Sequence, residues 1–235
     1  MVDPKVFGYG TSVTLAAGSQ ALQRRLRKMS TDPAEPRIFS QALVWVPLGG
    51  TASFLMAVCT IALVDAYFDG TKPLSDVVAC SLMLILSLFF LSYGLFRRWG
   101  VDQEKVWTKF WPFFYREVRF DQITRFNIGV YRYKLYVGRK LVNIDYNRFD
   151  YALVYIRLLE ELQYRKFQLE KVMPNDPTWE NEAQAWRNVL GADLYNDHQA
   201  FYDSHPDALA SLNYLVQPPT HHNHTHLPPH RPLYT

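Results

Sequence analysis

The chain has 235 residues, of which 49% are hydrophobic and 20% charged, and a formal net charge of +3. This content of apolar residues excludes a wholly disordered chain, and two cysteines exclude a disulfide-dense secreted scaffold. The averages match those of a soluble globular protein, but the apolar residues are far from evenly spread.

Residues 1–41 form a basic segment, with Arg24, Arg25, Arg27, Lys28 and Arg37 in its second half. Residues 42–64 and 77–96 then carry no charge at all. At about 1.5 Å per helical residue they reach roughly 35 and 30 Å, against a hydrocarbon core of about 30 Å. Both are apolar all the way round, so neither has the polar face of a soluble amphipathic helix. The first run is preceded by 41 residues and is too long for the apolar core of a cleaved signal, about 7–15 residues. We therefore predict a two-helix transmembrane hairpin over 42–96, with residues 65–76 as its loop.

Orientation follows from the flanks. The loop holds Lys72 against Asp65, Asp69 and Asp76, whereas Arg97, Arg98, Lys105, Lys109 and Arg116 follow the second span. Basic flanks on both sides of an acidic loop predict a multi-pass plasma membrane protein with both termini cytoplasmic. Within the first span, Gly49, Gly50, Ala52 and Ser53 are candidate helix-packing residues, because small side chains let helices approach closely. Cys59 and Cys80 fall at similar depth in the two spans, so pairing is geometrically open, although small residues packed between helices are the simpler account.

From Lys105 onward the period changes to alternation. Segments 105–111, 114–120, 125–131, 134–138 and 140–146 are rich in Val, Ile, Tyr and Phe and are punctuated by Pro112, Asp121, Gly129 and Gly138. They predict five short strands in an antiparallel meander. Asn147 caps a predicted helix over 148–170, with Phe149, Leu153, Ile156, Leu159 and Leu162 as its inward stripe. Strands closed by one amphipathic helix make a small barrel-like core.

Three patterns carry a resemblance: Gly100-Val101-Asp102 ahead of the first strand, Arg119-Phe120-Asp121-Gln122-Ile123 between strands, and the hairpin Tyr136-Val137-Gly138-Arg139-Lys140. Together with the membrane hairpin, over roughly residues 40–167, the chain resembles the bacterial pleckstrin-homology-like (PH-like) membrane proteins. The resemblance implies a cytoplasm-facing PH-like domain over 99–171 that binds or scaffolds, and it implies no reaction and no cofactor. In this arrangement Tyr131, Arg132, Tyr133, Lys134, Tyr136, Arg139 and Lys140 interleave aromatic and basic side chains around one hairpin. Such a surface suits anionic lipid, with Arg97 and Arg98 beside the membrane. It also suits single-stranded nucleic acid, or is simply the solvated face of a half-buried sheet. Position beside a membrane span argues against nucleic acid.

Residues 172–217 are acidic and predicted helical. Asp176-Pro177 starts one helix, whose Trp179, Ala183, Trp186 and Leu190 share a face and which Gly191 ends. A second helix is predicted over 206–216. Residues 218–235 form a predicted disordered tail rich in His and Pro, in which His222, His224 and His226 alternate as a weak metal-binding candidate. His198 and His205 lie among Asp193, Asp197, Asp203 and Asp207, which could be read as a metal or acid–base cluster but are expected to face solvent. Phosphate loops, zinc-protease helices and nucleophile elbows are absent from the sequence. The expectation is a non-enzymatic, membrane-anchored scaffold with a protein partner, a second copy of itself or anionic lipid as ligand. The alternative is an accessory subunit of a larger membrane complex, working through its spans.

Overall fold

A computed structural model describes residues 27, 29–129 and 132–219. Two long apolar helices, α1 (Ala42–Phe68) and α2 (Leu74–Phe96), precede a region of strands and shorter helices. Arg24, Arg25, Lys28, Tyr131, His222, His224 and His226 lie outside the described residues.

Strands β1 (Arg37–Phe39), β2 (Arg97–Val101), β3 (Lys105–Phe110) and β4 (Phe114–Arg119) form one sheet in that order. Strands β5 (Arg125–Gly129), β6 (Arg132–Val137), β7 (Lys140–Ile144) and β8 (Gln168–Leu169) form another, ordered β7-β6-β5-β8. Helix α3 (Ala152–Tyr164) follows β7, and α4 (Trp179–Asp197), α5 (Gln199–Ser204) and α6 (Pro206–Val216) follow β8. The chain divides into two compact units. One comprises residues 38–100 and 107–116; the other holds the remaining described residues.

In the first unit, α1 and α2 form a closely packed hairpin. A Cβ on Gly49 would stand 2.6 Å from the Leu91 backbone nitrogen, and one on Gly94 would stand 2.8 Å from Trp45 Cβ. Both positions therefore require glycine, and the helix backbones meet there. Between them Ser53 Oγ donates to Ser87 Oγ at 3.1 Å. Elsewhere the helices are bare: only 11% and 6% of their most apolar 18-residue stretches are buried, and both are long enough to cross a membrane. The connection is shorter than predicted, residues 69–73 rather than 65–76. Helical hydrogen bonding does not stop where apolar residues stop. It ends at Gly70, whose φ of +68° permits a Schellman turn. There Gly70 N–H donates to Tyr67 O at 3.0 Å and Thr71 N–H to Ala66 O at 2.9 Å.

In the second unit, the β5–β6–β7 ladder sets rows of inward side chains: Phe126–Leu135–Val142 and Ile128–Tyr133–Ile144. Gly138, with φ +55°, opens the two-residue turn between β6 and β7. Against the core lies α3, with Val154 and Leu159 fully buried and Ile156 and Leu158 at 1% exposure. It is shorter than the predicted 148–170. At its start Asp150, rather than Asn147, receives the Ala152 N–H at 3.1 Å. At its end Arg165 turns extended and donates to the Phe120 and Ile123 carbonyls. Those carbonyls flank the Phe120–Gln122 3₁₀ turn, so the motif between strands is a docking point for the end of α3. Residues 168–169 then pair with β5 in parallel.

The acidic helices belong to this same unit. Arg187 of α4 is completely buried and donates to Leu162 O at 3.0 Å, while Trp179 Nε1 donates to Phe167 O at 2.7 Å. Gly191 does not end α4, contrary to the prediction. A Cβ there would stand 2.4 Å from Val216 Cγ2, so this glycine lets α6 pack onto α4. The predicted 206–216 helix is found at the same bounds.

Candidate functional site

Strand alternation sends Tyr133 of β6 inward and leaves Arg132, Lys134 and Tyr136 on the outer face. Arg132 is exposed and Lys134 and Tyr136 are half-buried there, while Arg139 and Lys140 are exposed at the turn, where Lys140 pairs with Val137. Arg125 of β5 joins them, its guanidinium 3.9 Å from the Tyr136 ring centroid, in cation–π contact. The strand residues of this sheet include no Asp or Glu, so the charges along the outer face are all basic, and Asp145, just after β7, feels the charge of Arg132. Tyr133 departs from the predicted set. It is 6% exposed and packs edge-on against Trp186 and beside Phe126, which makes it a core residue. Burial, then the charge of Asp193, pushes its hydroxyl well above the ordinary range, so it stays a neutral phenol.

Arg97 and Arg98 lie in the other compact unit, at the end of α2. Arg98 Nη1 donates to Gly94 O at 3.2 Å, satisfying a helix-terminal carbonyl. Of the predicted helix-packing residues, Gly49 and Ser53 are buried in the hairpin seam and Ala52 is half-buried. Gly50 has nothing within 4 Å of its would-be Cβ. Cys59 and Cys80 are free thiols.

A second polar site was not foreseen. Asp150, 2% exposed, gathers partners from distant parts of the chain. Its Oδ2 accepts from Ser30 N–H at 2.8 Å, Ser30 Oγ at 2.9 Å and Arg37 Nη1 at 3.1 Å, and lies 3.3 Å from His198 Nε2. Burial raises this carboxyl's pKa, but His198 and the Ser30 and Ala152 N–H groups outweigh it and hold it well below the usual range. Alongside, Arg27 forks onto Asp197 at 2.8 and 3.1 Å. Burial and the Asp197 charge push Asp193 up to about 6, opposed by Arg27. His198 is thus buried beside Asp150, contrary to its expected solvated position.

Serine, histidine and aspartate invite comparison with a nucleophilic triad, and the geometry argues against it. A triad needs the carboxylate on one ring nitrogen and the hydroxyl on the other. Here Ser30 Oγ and Asp150 Oδ2 both face Nε2, each at 3.3 Å, and Ser30 donates directly to Asp150. The adjoining cleft, lined by Pro33, Glu35, Val101 and Leu153 among others, has no room even for a water-sized group, against the roughly 300 Å³ of small ligand pockets. The cluster is a junction that ties residues 27–37 to the starts of α3 and α5. No group of three His, Cys, Asp or Glu side chains converges as a metal site among the described residues.

No protein-family model, curated protein or solved structure matches this chain.

Proposed function

We propose that this chain is a non-enzymatic interaction module held at a bacterial plasma membrane by α1 and α2. Its PH-like domain presents a basic face to an anionic partner, either lipid headgroups or an acidic protein surface. The observation that carries this reading is one end and face of the second sheet: Arg125, Arg132 and Lys134 stand on its outer face and Arg139 and Lys140 at the β6–β7 turn, without a carboxylate along the strands. Two mostly antiparallel four-stranded sheets followed by α3 support the PH-like assignment. The bare apolar girth of α1 and α2 supports the anchor. Both termini are assigned to the cytoplasm from Arg97, Arg98, Lys109 and Arg116 at one end of the hairpin and Asp65, Asp69 and Asp76 at the other.

The test uses the full chain reconstituted in zwitterionic nanodiscs. Anionic vesicles, or an acidic partner photocrosslinked from position 139 in native membranes, must be captured at low salt and released as salt rises. The Arg132→Glu/Lys134→Glu/Lys140→Glu variant must lose that capture. Capture that is indifferent to these charges in both arms refutes the proposal.

A further inference from the structure

The turn between β3 and β4, Trp111-Pro112-Phe113, runs into Phe114-Tyr115 at the start of β4. Tight turns facing water are built from Gly, Pro, Asn, Asp and Ser, and this one has Pro112 but flanks it with aromatic rings. Trp111 is 58% exposed, Phe113 70% and Tyr115 51%. A contiguous exposed apolar patch of this kind marks an interaction surface.

What the patch faces is set by its own compact unit, which holds residues 107–116 together with α1 and α2. Trp111 lies 5.9 Å, ring to ring, from Phe96, the last residue of α2. Phe110 reaches further, its ring 6.4 Å from that of Phe89 and 5.9 Å from that of Tyr93. Phe89 sits seven residues inside the helix end, which is about 10 Å of helical rise. The strand therefore runs back alongside the last two turns of α2. That helix has 23 residues, roughly 34 Å against a hydrocarbon core of about 30 Å, so its last two turns straddle the edge of the core.

Charge completes the pattern. Residues 97–100 and 107–116 include Arg97, Arg98, Lys109 and Arg116 and no acid. Arg97 lies 4.6 Å from the Phe114 ring centroid and 5.1 Å from that of Trp99. Aromatic rings at headgroup depth, interleaved with cations, are how proteins grip a membrane–water interface.

We propose that residues 111–115 form an interfacial anchor. Their side chains enter the headgroup–acyl boundary of the leaflet crossed by the end of α2, and Lys109, Arg116 and Arg97 engage its anionic headgroups. The anchor rests on the reading that α1 and α2 span the bilayer, and the test separates the two.

In a Cys59→Ala/Cys80→Ala background, the full chain in liposomes carries one environment-sensitive fluorophore on Phe113→Cys or, independently, Tyr115→Cys. Phe54→Cys, at the middle of α1 and 70% exposed, reports the span; Lys72→Cys, in the loop, reports water. Anchoring predicts blue-shifted emission at positions 113 and 115. It also predicts stronger quenching by lipids carrying a shallow spin label than a deep one, matching a depth of about 5–10 Å, and loss of iodide quenching relative to position 72. Iodide quenching at 113 and 115 while position 54 is quenched by deep-labelled lipid overturns the anchor and leaves the span standing. Protection from iodide without lipid quenching means that protein covers the turn, and also overturns it. If position 54 escapes lipid quenching, the span fails and the anchor with it.

Discussion

Replacing Asp150 by alanine removes one carboxylate and strands five donor groups. Oδ2 serves Ser30 N–H, Ser30 Oγ, Arg37 and His198, and Oδ1 serves the Ala152 N–H. Each buried donor left without an acceptor costs about 1–3 kcal/mol. Arg37, whose side chain keeps 22% exposure, recovers water, and Ser30 recovers part of its bonding by rotation. His198 and the Ala152 N–H recover least. Loss of one partner from a buried ion pair costs about 3–5 kcal/mol, and about 4 kcal/mol is expected here. Asp150→Asn keeps the shape and one acceptor and loses the charge, for about 2 kcal/mol. Denaturant unfolding of the full chain in mild detergent reads both values. Hydrogen exchange over residues 29–37 reads the local effect, since that segment is released. The acid limb supplies a sign. The Asp150 pKa is held below its unfolded value of about 3.9. Its contribution is therefore complete above about pH 4 and is lost as pH falls further. Wild type must converge on the Asn variant in acid. An Ala variant within about 1 kcal/mol of wild type, or parallel acid limbs for wild type and Asn, refutes the reasoning.

Asp193 has the opposite sign. Its pKa is raised to about 6 in the folded protein, so ionisation drains stability as pH rises from about 4 to 6. Asp193→Asn is expected to stabilise by up to about 3 kcal/mol at pH 7 and by only about 0.5 kcal/mol at pH 4, as read by unfolding at the two pH values. Oxidised Ser53→Cys/Ser87→Cys, in the background lacking Cys59 and Cys80, is expected to form an intrachain disulfide visible as a gel mobility shift. Gly49→Leu must abolish that shift and Gly50→Leu must preserve it, because only Gly49 lies against the Leu91 backbone. Gly191→Ala gains about 1 kcal/mol of helix propensity and loses about 1–3 kcal/mol to overpacking against Val216. Net destabilisation is expected in the same unfolding assay. A reporter inserted at Gly70 is expected to behave as external and one fused after Tyr234 as cytoplasmic, by protease access in intact cells.

Gly49, Gly50, Ala52 and Ser53 look alike in the sequence, yet tertiary contact divides them: Gly49 and Ser53 serve the intrachain seam and Gly50 does not. That leaves less of the small-residue stripe for an external partner than the sequence suggested. Gly191 differs from its expected role for a related reason. A glycine that stops a helix and a glycine that admits a neighbouring helix are identical in sequence, and only Val216 distinguishes them.

By itself the sequence determined what is local. The lengths of two uncharged runs, the acidic loop between basic flanks, the alternation of 125–144 and the bounds of α6 were all legible, because hydrophobic run and period act within about twenty residues. Even the basic outer face of β5–β7 could be read, once alternation sends Tyr133 inward. The tertiary structure decided the rest. Asp150 and His198 are 48 residues apart, Ser30 and Asp150 120, and Arg27 and Asp197 170. No periodicity records such pairs, because each side chain becomes a partner only when folding removes both from water. The segment 111–115 follows the same logic: its aromatic residues stand out in the sequence, but their place beside the last turns of α2 does not. The averages of 49% hydrophobic and net +3 conceal a bare apolar hairpin and a unit bound by buried charges, which only the fold brings together.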